Sequence, residues 1–198
     1  MVTAAPLLTV AICTHNRAAL LPDAVMSVVG QITDDTDVLI VDNASTDDTP
    51  RVAEALAAAQ PRVRVVEERL LGLSYTRNTA LALATSQFVI FLDDDATAEP
   101  GWLASYRRFL EEPPSPDIAA AGSVVHPRYD APPPRWLAAD TNTLDAGPRA
   151  HPMAGRSLPW GCNFVCNRTR ALAIGGFCAL KAMSRRNDDA AAASRPFD

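Results

Sequence analysis

The sequence lacks the features that mark several large classes of protein. No apolar run approaches the roughly 18 residues that a membrane-spanning helix needs. The apolar stretch near the N-terminus has no basic segment before it, so we do not expect a signal peptide. The formal net charge is -5 and the basic residues are scattered, which argues against nucleic-acid binding. We therefore expect a cytoplasmic protein, or one that lies peripherally at the inner face of the cell membrane.

Paired metal-binding cysteines are also lacking. Of the four cysteines only Cys162 and Cys166 lie close together, and one such pair by itself is a weak signal for a zinc site. With 48% hydrophobic and 21% charged residues, the 198-residue chain has ordinary globular composition and is long enough to bury a core. Collagen-like, coiled-coil and wholly disordered structures are therefore excluded.

Short apolar runs alternate with segments of helical periodicity in the first half of the chain. The runs occupy residues 8–13, 38–41, 63–66 and 88–92. Such runs are typical of strands buried on both faces, and helical crossovers between them predict an α/β fold with a mostly parallel central sheet flanked by helices. The first helix is predicted to begin at Asn16 or Arg17. Thr49 is the predicted N-cap of the second helix, with Pro50 at its first position.

The second half of the chain has a different pattern. Residues 118–125 and 160–166 predict two further strands, and residues 168–173 predict a short helix. Residues 126–159 are rich in proline and arginine, and we interpret them as a long loop rather than a separate domain.

Three polar segments, at residues 13–17, 42–47 and 93–95, follow apolar strands. Ligands bind at such strand ends in parallel sheets. The most acidic is Asp93-Asp94-Asp95, whose mutual repulsion a divalent cation would offset. Alternation along an extended chain places Asp93 and Asp95 on one side and Asp94 on the other. Mg²⁺ or Mn²⁺ there would leave positions for phosphate oxygens. The alternative is a solvated acidic turn that caps the next segment.

Other polar residues at these ends have two possible roles each. Asp42 can accept a hydrogen bond from a base or a ribose, or it can cap a turn. Arg77, early on a predicted helix, can pair with a phosphate or form an ordinary salt bridge. His15 can stack on a base or bond to it.

Five segments, in a fixed order, carry a resemblance to a known family. They are THNR at 14–17, VDNASTDDT from 42, GLSYTRNTAL at 72–81, FLDDDATAEPGWL at 91–103 and GCNFVCNRTRALAIGGF at 161–177. Over residues 8–177 the chain resembles the family 2 glycosyltransferases. The resemblance implies the Rossmann-like GT-A fold and an inverting transfer of a sugar from a nucleotide-diphospho-sugar, most often a UDP-sugar, to a hydroxyl acceptor with Mg²⁺ or Mn²⁺.

The resemblance also implies a set of site residues. Thr14 and His15 would line the base pocket, and Asp95 together with Asp93 would hold a metal that stabilises the leaving diphosphate. The expected substrate-binding residues are Thr14, His15, Arg17, Asp42, Asn43, Arg77, Asp93, Asp94, Gly161 and Asn163.

The sequence departs from the family pattern at two places. Cys13 and His15 stand where relatives often have proline and tyrosine. After residues 175–177, the family usually continues with an acidic residue and then a Glu-Asp pair, whose aspartate is the general base. Here an alanine- and arginine-rich tail follows, so we expect truncation or a frameshift after Phe177. Asp188 and Asp189 are the candidate bases within that tail.

These observations give one expected function and two alternatives. We expect a glycosyltransferase domain over residues 1–177, with a donor-binding half at 8–110, an acceptor half at 118–177 and an aberrant or disordered tail at 178–198. Its acceptor would be a glycan or a lipid-linked sugar in cell-envelope or exopolysaccharide synthesis. One alternative is a nucleotide-sugar binding fragment that lacks the general base. The other, a nucleotidyltransferase, needs a glycine-rich phosphate loop after the first strand, and residues 14–21 contain no glycine.

Overall fold

The computed structural model describes residues 7–112, 117–129, 131–132 and 159–178. The strands in this part of the chain are β1 (Leu8–Thr14), β2 (Thr36–Asp42), β3 (Val63–Glu67), β4 (Phe88–Asp93), β5 (Ala120–Gly122) and β6 (Asn163–Asn167). The helices are α1 (Leu21–Val29), α2 (Thr49–Ala59), α3 (Leu73–Leu83), α4 (Trp102–Glu111) and α5 (Arg168–Ala173). No helix among these residues has the length and apolar character needed to cross a membrane.

All six strands form one sheet in the order β3-β2-β1-β4-β6-β5. The pairs among β1, β2, β3 and β4 are parallel, whereas β6 runs antiparallel to both β4 and β5. The predicted α/β class with a mostly parallel sheet is therefore confirmed. The chain goes from β1 outward to β2 and β3 and then returns to β4 on the other side of β1. Such a reversal of strand order opens a crevice at the carboxyl ends of the strands.

Side-chain alternation along the strands divides the core into two layers. Leu8, Val10 and Ile12 of β1 pack in one cluster with buried residues of α1, α2 and α4. Ala11 of β1 and Phe91 of β4 pack in the other with residues of α3 and α5. The central strands are therefore covered on both faces, as their unbroken apolar sequence predicts. This double cover makes the strand ends a rigid base for the loops that follow.

The start of the first two helices differs from the sequence prediction. The first helix was expected from residue 16 or 17, but α1 begins at Leu21 because Asn16 has a left-handed backbone, with φ 53°. Thr49 is the first residue of α2 rather than its N-cap. Its hydroxyl oxygen instead accepts a hydrogen bond from the Arg17 backbone N–H at 2.8 Å. That bond joins the loop after β1 to the start of α2.

Both strands of the second half are displaced from their predicted bounds. Only residues 120–122 of the expected 118–125 strand pair with β6. The last strand begins at Asn163, because residues 160–163 form a turn in which the Asn163 N–H donates to the Trp160 carbonyl at 3.2 Å. The expected helix at 168–173 is confirmed as α5.

Asn163 joins β6 to α4 through a buried set of hydrogen bonds. Its Oδ1 accepts from the Trp102 indole N–H at 3.0 Å and from the Tyr106 hydroxyl at 2.8 Å. Its Nδ2 donates to the Val124 carbonyl at 2.9 Å. Asn163 is only 6% exposed, so its side chain is shielded from water. Asn163 therefore stabilises the antiparallel part of the sheet.

Replacing Asn163 tests this role. Asn163→Ala leaves an indole N–H and a phenol O–H buried without an acceptor, and we expect the free energy of unfolding to fall by about 2–4 kcal/mol. Urea denaturation measures the loss. The matched control is Asn167→Ala on the same strand, which removes a helix cap that accepts from the Arg170 N–H and should cost about 1 kcal/mol. Equal losses in the two variants would contradict the assignment.

Candidate functional site

An open cleft of about 290 Å³ lies at the carboxyl ends of β1 and β4, beside the start of α3. Its walls are formed by Cys13, Thr14, His15, Arg17, Asn43, Leu73, Thr76, Asp93, Asp94 and Asp95. The structure therefore brings together seven residues that the sequence analysis selected: Thr14, His15, Arg17, Asn43, Asp93, Asp94 and Asp95. Their convergence at the reversal of strand order follows the general rule for ligand sites in such sheets.

The loop after β1 is held by hydrogen bonds to the loop after β2. The Asn16 Oδ1 accepts from the Thr46 N–H at 2.7 Å, and the Ser45 hydroxyl oxygen accepts from the Asn16 N–H at 2.9 Å. The His15 Nδ1 lies 2.7 Å from the Asn43 carbonyl, so that nitrogen carries the proton and donates it. The His15 Nε2 accepts from the Asn16 Nδ2 at 3.3 Å, so the ring is fixed at the cleft wall by both of its nitrogens.

Asn43 fixes the chain between β3 and α3. Its Nδ2 donates to the carbonyls of Glu68 at 3.0 Å and Leu70 at 2.8 Å, and its Oδ1 accepts from the Gly72 N–H at 2.7 Å. All polar atoms of the amide are thus used within the protein. Asn43 therefore fixes part of the cleft wall rather than offering a polar group to a ligand. Leu73, on the same wall, is 51% exposed.

Asp42 lies behind the cleft rather than on its wall. The residue is 4% exposed, and its carboxylate accepts hydrogen bonds from the backbone N–H and the hydroxyl of Ser45. Its bond to Ser45 shapes the loop that holds Asn16. A direct contact between Asp42 and a base or ribose stays a prediction.

The three carboxylates of residues 93–95 differ in their surroundings. Asp93 lies 3.8 Å from the Arg77 Nη2, and Asp95 is exposed. Burial raises the pKa of Asp93, which Arg77 opposes and the two neighbouring carboxylates reinforce. Burial likewise raises the pKa of Asp94, with a further increase from Asp95, while the Thr14 hydroxyl and the charge of Arg17 lower it. The charge of the triplet is therefore only partly compensated within the protein.

The donor set fits a hard divalent cation. The described residues contain no cluster of three or more His, Cys, Asp and Glu side chains that would enclose a metal by itself. Mg²⁺ and similar ions are usually held by one or two carboxylates, with water and phosphate oxygens at the other positions. Beside the triplet, the buried hydroxyl of Thr14 lies close to the Asp94 carboxylate and lowers its pKa.

Besides Asp42, three predicted substrate-binding residues are not on the cleft wall. Arg77 is largely buried and donates to the Gly161 carbonyl at 2.8 Å, and Asn163 is committed to α4 and Val124. Direct substrate contacts by Arg77, Gly161 and Asn163 stay predictions. The candidate bases Asp188 and Asp189 lie outside the described residues.

The cleft wall also contains Cys13, Leu73 and Thr76, which the sequence analysis did not select. Cys13 lies opposite Asp93 in the parallel pairing of β1 with β4. The alternation of side chains along β1 was the sequence signal that could have placed Cys13 in the cleft. Burial raises the pKa of the Cys13 thiol to about 12, which keeps it protonated and unreactive near neutral pH. Thr76, near the start of α3, is buried at the base of the cleft wall.

Comparisons with known proteins agree on one family. The family model described as glycosyl transferase family 2 matches residues 9–186. The glucosyl-dolichyl phosphate glucuronosyltransferase of Haloferax volcanii is 27% identical over 175 residues, which are 85% of this chain and 55% of the relative. A PGL/p-HBAD biosynthesis glycosyltransferase of Mycobacterium bovis is 32% identical over 117 residues, which are 58% of this chain and 46% of the relative. The chain thus spans about half the length of these curated relatives.

One solved structure supports the fold. The mannosyltransferase PcManGT from Pyrobaculum calidifontis, in complex with GDP-Man and Mn²⁺, superimposes with a TM-score of 0.64 at 23% identity. The alignment covers 89% of this chain and 48% of that one. At this identity the similarity shows the fold alone, and it confirms the expected GT-A architecture.

The raised pKa of Asp94 predicts an unusual effect of replacing it. The folded protein holds the Asp94 proton more tightly than the unfolded chain, so stability falls as pH rises from the ordinary carboxyl pKa through the raised value. The penalty is complete once the pH lies above the raised pKa. We therefore expect Asp94→Asn to raise the free energy of unfolding at pH 7 without divalent cations. The gain should shrink as pH falls through the raised pKa.

Urea denaturation at several pH values, with a chelator present, measures this gain. The matched control is Asp48→Asn, because the hydrogen bond and charge of Arg51 hold the pKa of Asp48 below its ordinary value. The control should be neutral or slightly destabilised at pH 7, since an exposed pair contributes little. A less stable Asp94→Asn at pH 7 would show that the Asp94 charge is already compensated.

Proposed function

The chain belongs to glycosyl transferase family 2, and on this premise we propose that its cleft binds a nucleotide-diphospho-sugar together with Mg²⁺ or Mn²⁺. The reaction would be an inverting transfer of the sugar, most often from a UDP-sugar, to a hydroxyl group of an acceptor. The observation that carries this proposal is the meeting of the 93–95 carboxylates and the fixed 14–17 loop at one edge of the sheet.

The carboxylates would divide the binding of the donor between them. Asp95 is the exposed member of the triplet, and with Asp93 it would hold the cation. When bound, the cation supplies Lewis-acid stabilisation of the leaving diphosphate. Arg17, whose exposed side chain is on the same wall, would contribute a positive charge toward the phosphates.

Two other residues of the cleft wall would contact the nucleoside. Leu73 offers an apolar surface, and the fixed ring of His15 offers a flat face. A base could therefore be held by stacking, without reorganisation of the loops that Asn16 and Asn43 fix.

The acceptor is proposed as a glycan or a lipid-linked sugar of the cell envelope or an exopolysaccharide. The Haloferax relative is named for glucosyl-dolichyl phosphate, which is a lipid-linked sugar. An acceptor of this kind would bring a cytoplasmic enzyme to the inner face of the membrane. Residues 161–164, beside Asp93, would form the acceptor side of the cleft.

Whether the chain completes the transfer depends on a general base. We propose Asp189 or Asp188 for this role, since either lies at a suitable distance after the residues 175–177 of the family pattern. A nucleotide-sugar binding protein without a base is the competing function. Single-turnover assays with a bound donor separate the two, because only the enzyme would consume the donor in the presence of acceptor.

Calorimetric titration tests the donor site directly. We expect one of UDP, GDP and dTDP to bind the full chain in the presence of Mn²⁺, and Asp95→Ala to weaken that binding by about tenfold or more through loss of a metal ligand. The control is Asp34→Ala, which removes an exposed carboxylate paired with Arg62 outside the cleft.

Three outcomes would contradict the proposal. Absence of binding by all three nucleotides would exclude the donor site, and equal affinities of wild type and Asp95→Ala with and without Mn²⁺ would exclude the metal assignment. A loss in Asp34→Ala as large as that in Asp95→Ala would show that overall charge, rather than the site, governs binding.

A further inference from the structure

The guanidinium of Arg77 is enclosed by three aromatic rings. Its central carbon lies 5.6 Å from the ring centre of Phe91 and 5.4 Å from those of Phe164 and Phe177. We call these three side chains the aromatic box. Its members also contact one another, with ring centres 5.0 Å apart for Phe91 and Phe164 and 5.4 Å for Phe91 and Phe177. The Arg77 side chain is 14% exposed, so the box holds the cation largely away from water.

The polar edge of the guanidinium joins two parts of the chain that are far apart in sequence. Nη2 donates to the Gly161 carbonyl at 2.8 Å, and the same nitrogen lies 3.8 Å from the Asp93 Oδ1. Gly161 approaches so closely that a Cβ atom there would stand 3.0 Å from Nη2. Arg77 thereby ties the turn before β6 to the first carboxylate of the acidic triplet.

Phe177 closes the box because α3 holds its backbone. The Asn78 Nδ2 donates to the Phe177 carbonyl at 2.9 Å, and the Asn78 Oδ1 accepts from the Phe177 N–H at 2.7 Å. The preceding Gly176 has φ 72°, and any Cβ there would overlap the Asn78 amide. The backbone of residues 175–177 therefore places the Phe177 ring against Arg77, which precedes Asn78 on α3.

We propose that Arg77 is a positioning residue that acts on the donor site through Asp93, and that Phe177 supports it by closing the aromatic box. This inference rests on the proposed function. Neither Arg77 nor Phe177 is on the cleft wall. The planar guanidinium donates to the Gly161 carbonyl and lies near Asp93, and the rings of the aromatic box surround it. A lysine ammonium does not reproduce this combination.

Charge alone and geometry predict different outcomes for a lysine at this position. If Arg77 served only as a nearby positive charge or a direct phosphate contact, Arg77→Lys would keep most of the nucleotide affinity. If its fork orients Asp93 and the Gly161 turn, Arg77→Lys should raise the Kd for the bound nucleotide about tenfold despite the retained charge.

The role of Phe177 is tested by a double-variant cycle. We expect Phe177→Leu to raise the nucleotide Kd about threefold, and the Arg77→Lys/Phe177→Leu double variant to bind no more weakly than Arg77→Lys alone. Such non-additivity arises when one residue acts through the other. The titrations use the full chain with Mn²⁺ and whichever of UDP, GDP and dTDP binds the wild type.

Phe88→Leu is the matched control. Phe88 lies at the opposite end of β4 from Asp93 and packs against the other core layer, so this variant has the same loss of volume without a link to Arg77. Its nucleotide Kd should stay within about twofold of wild type. Circular dichroism at the titration temperature confirms that each variant is folded.

The outcomes distinguish this inference from the proposed function. Failure of the wild type to bind any nucleotide would overturn both. Wild-type binding together with an unchanged Kd in Arg77→Lys would overturn only the positioning role. Losses that multiply in the double variant, or a loss in Phe88→Leu as large as in Phe177→Leu, would overturn the support by Phe177.

Discussion

Mutual repulsion among three consecutive carboxylates, at the end of a buried apolar strand, is the constraint on which the rest of this site depends. The three carboxylates have different surroundings. Asp93 faces Arg77, Asp94 is near Arg17, and Asp95 is left exposed to solvent. Burial still raises the pKa of Asp93 and Asp94, so the compensation is incomplete. The proposed cation would supply positive charge that the protein itself does not.

The fold explains why this unfavourable arrangement persists. Strands β1 and β4 are buried on both faces, and their ends cannot move without disturbing two core layers. Side-chain amides then fix the loops that follow. Asn16 holds the loop after β2, Asn43 holds the approach to α3, and Asn78 holds the turn at Phe177. A cleft prepared in this way loses little conformational freedom when a ligand binds.

Much of the architecture was predictable from sequence because it depends on local patterns. The four apolar runs became parallel strands within one or two residues of their predicted bounds, and the acidic triplet and the 14–17 loop met where parallel strands end. The strands of the second half were less predictable, since β5 is three residues long and β6 begins after a turn.

The roles of individual side chains were harder to predict, since they depend on partners distant in sequence. Arg77 was expected beside the nucleotide, but its hydrogen bond to Gly161 joins residues 84 positions apart. Asn163 has its partners on α4, and Thr49 receives its hydrogen bond from Arg17, 32 positions before it. No local pattern encodes such contacts. The same spatial convergence produces the aromatic box, whose members come from β4, β6 and the turn after α5.

Paramagnetic broadening by Mn²⁺ in the amide spectrum of the labelled full chain, with its nucleotide present, tests the central claim most directly. A cation held by the triplet should broaden the amide signals of Asp94, Asp95 and His15 at substoichiometric Mn²⁺. The signal of Thr36, at the far end of the parallel strands, should stay sharp. Broadening centred instead on exposed carboxylates such as Asp48, with the triplet unaffected, would contradict the account.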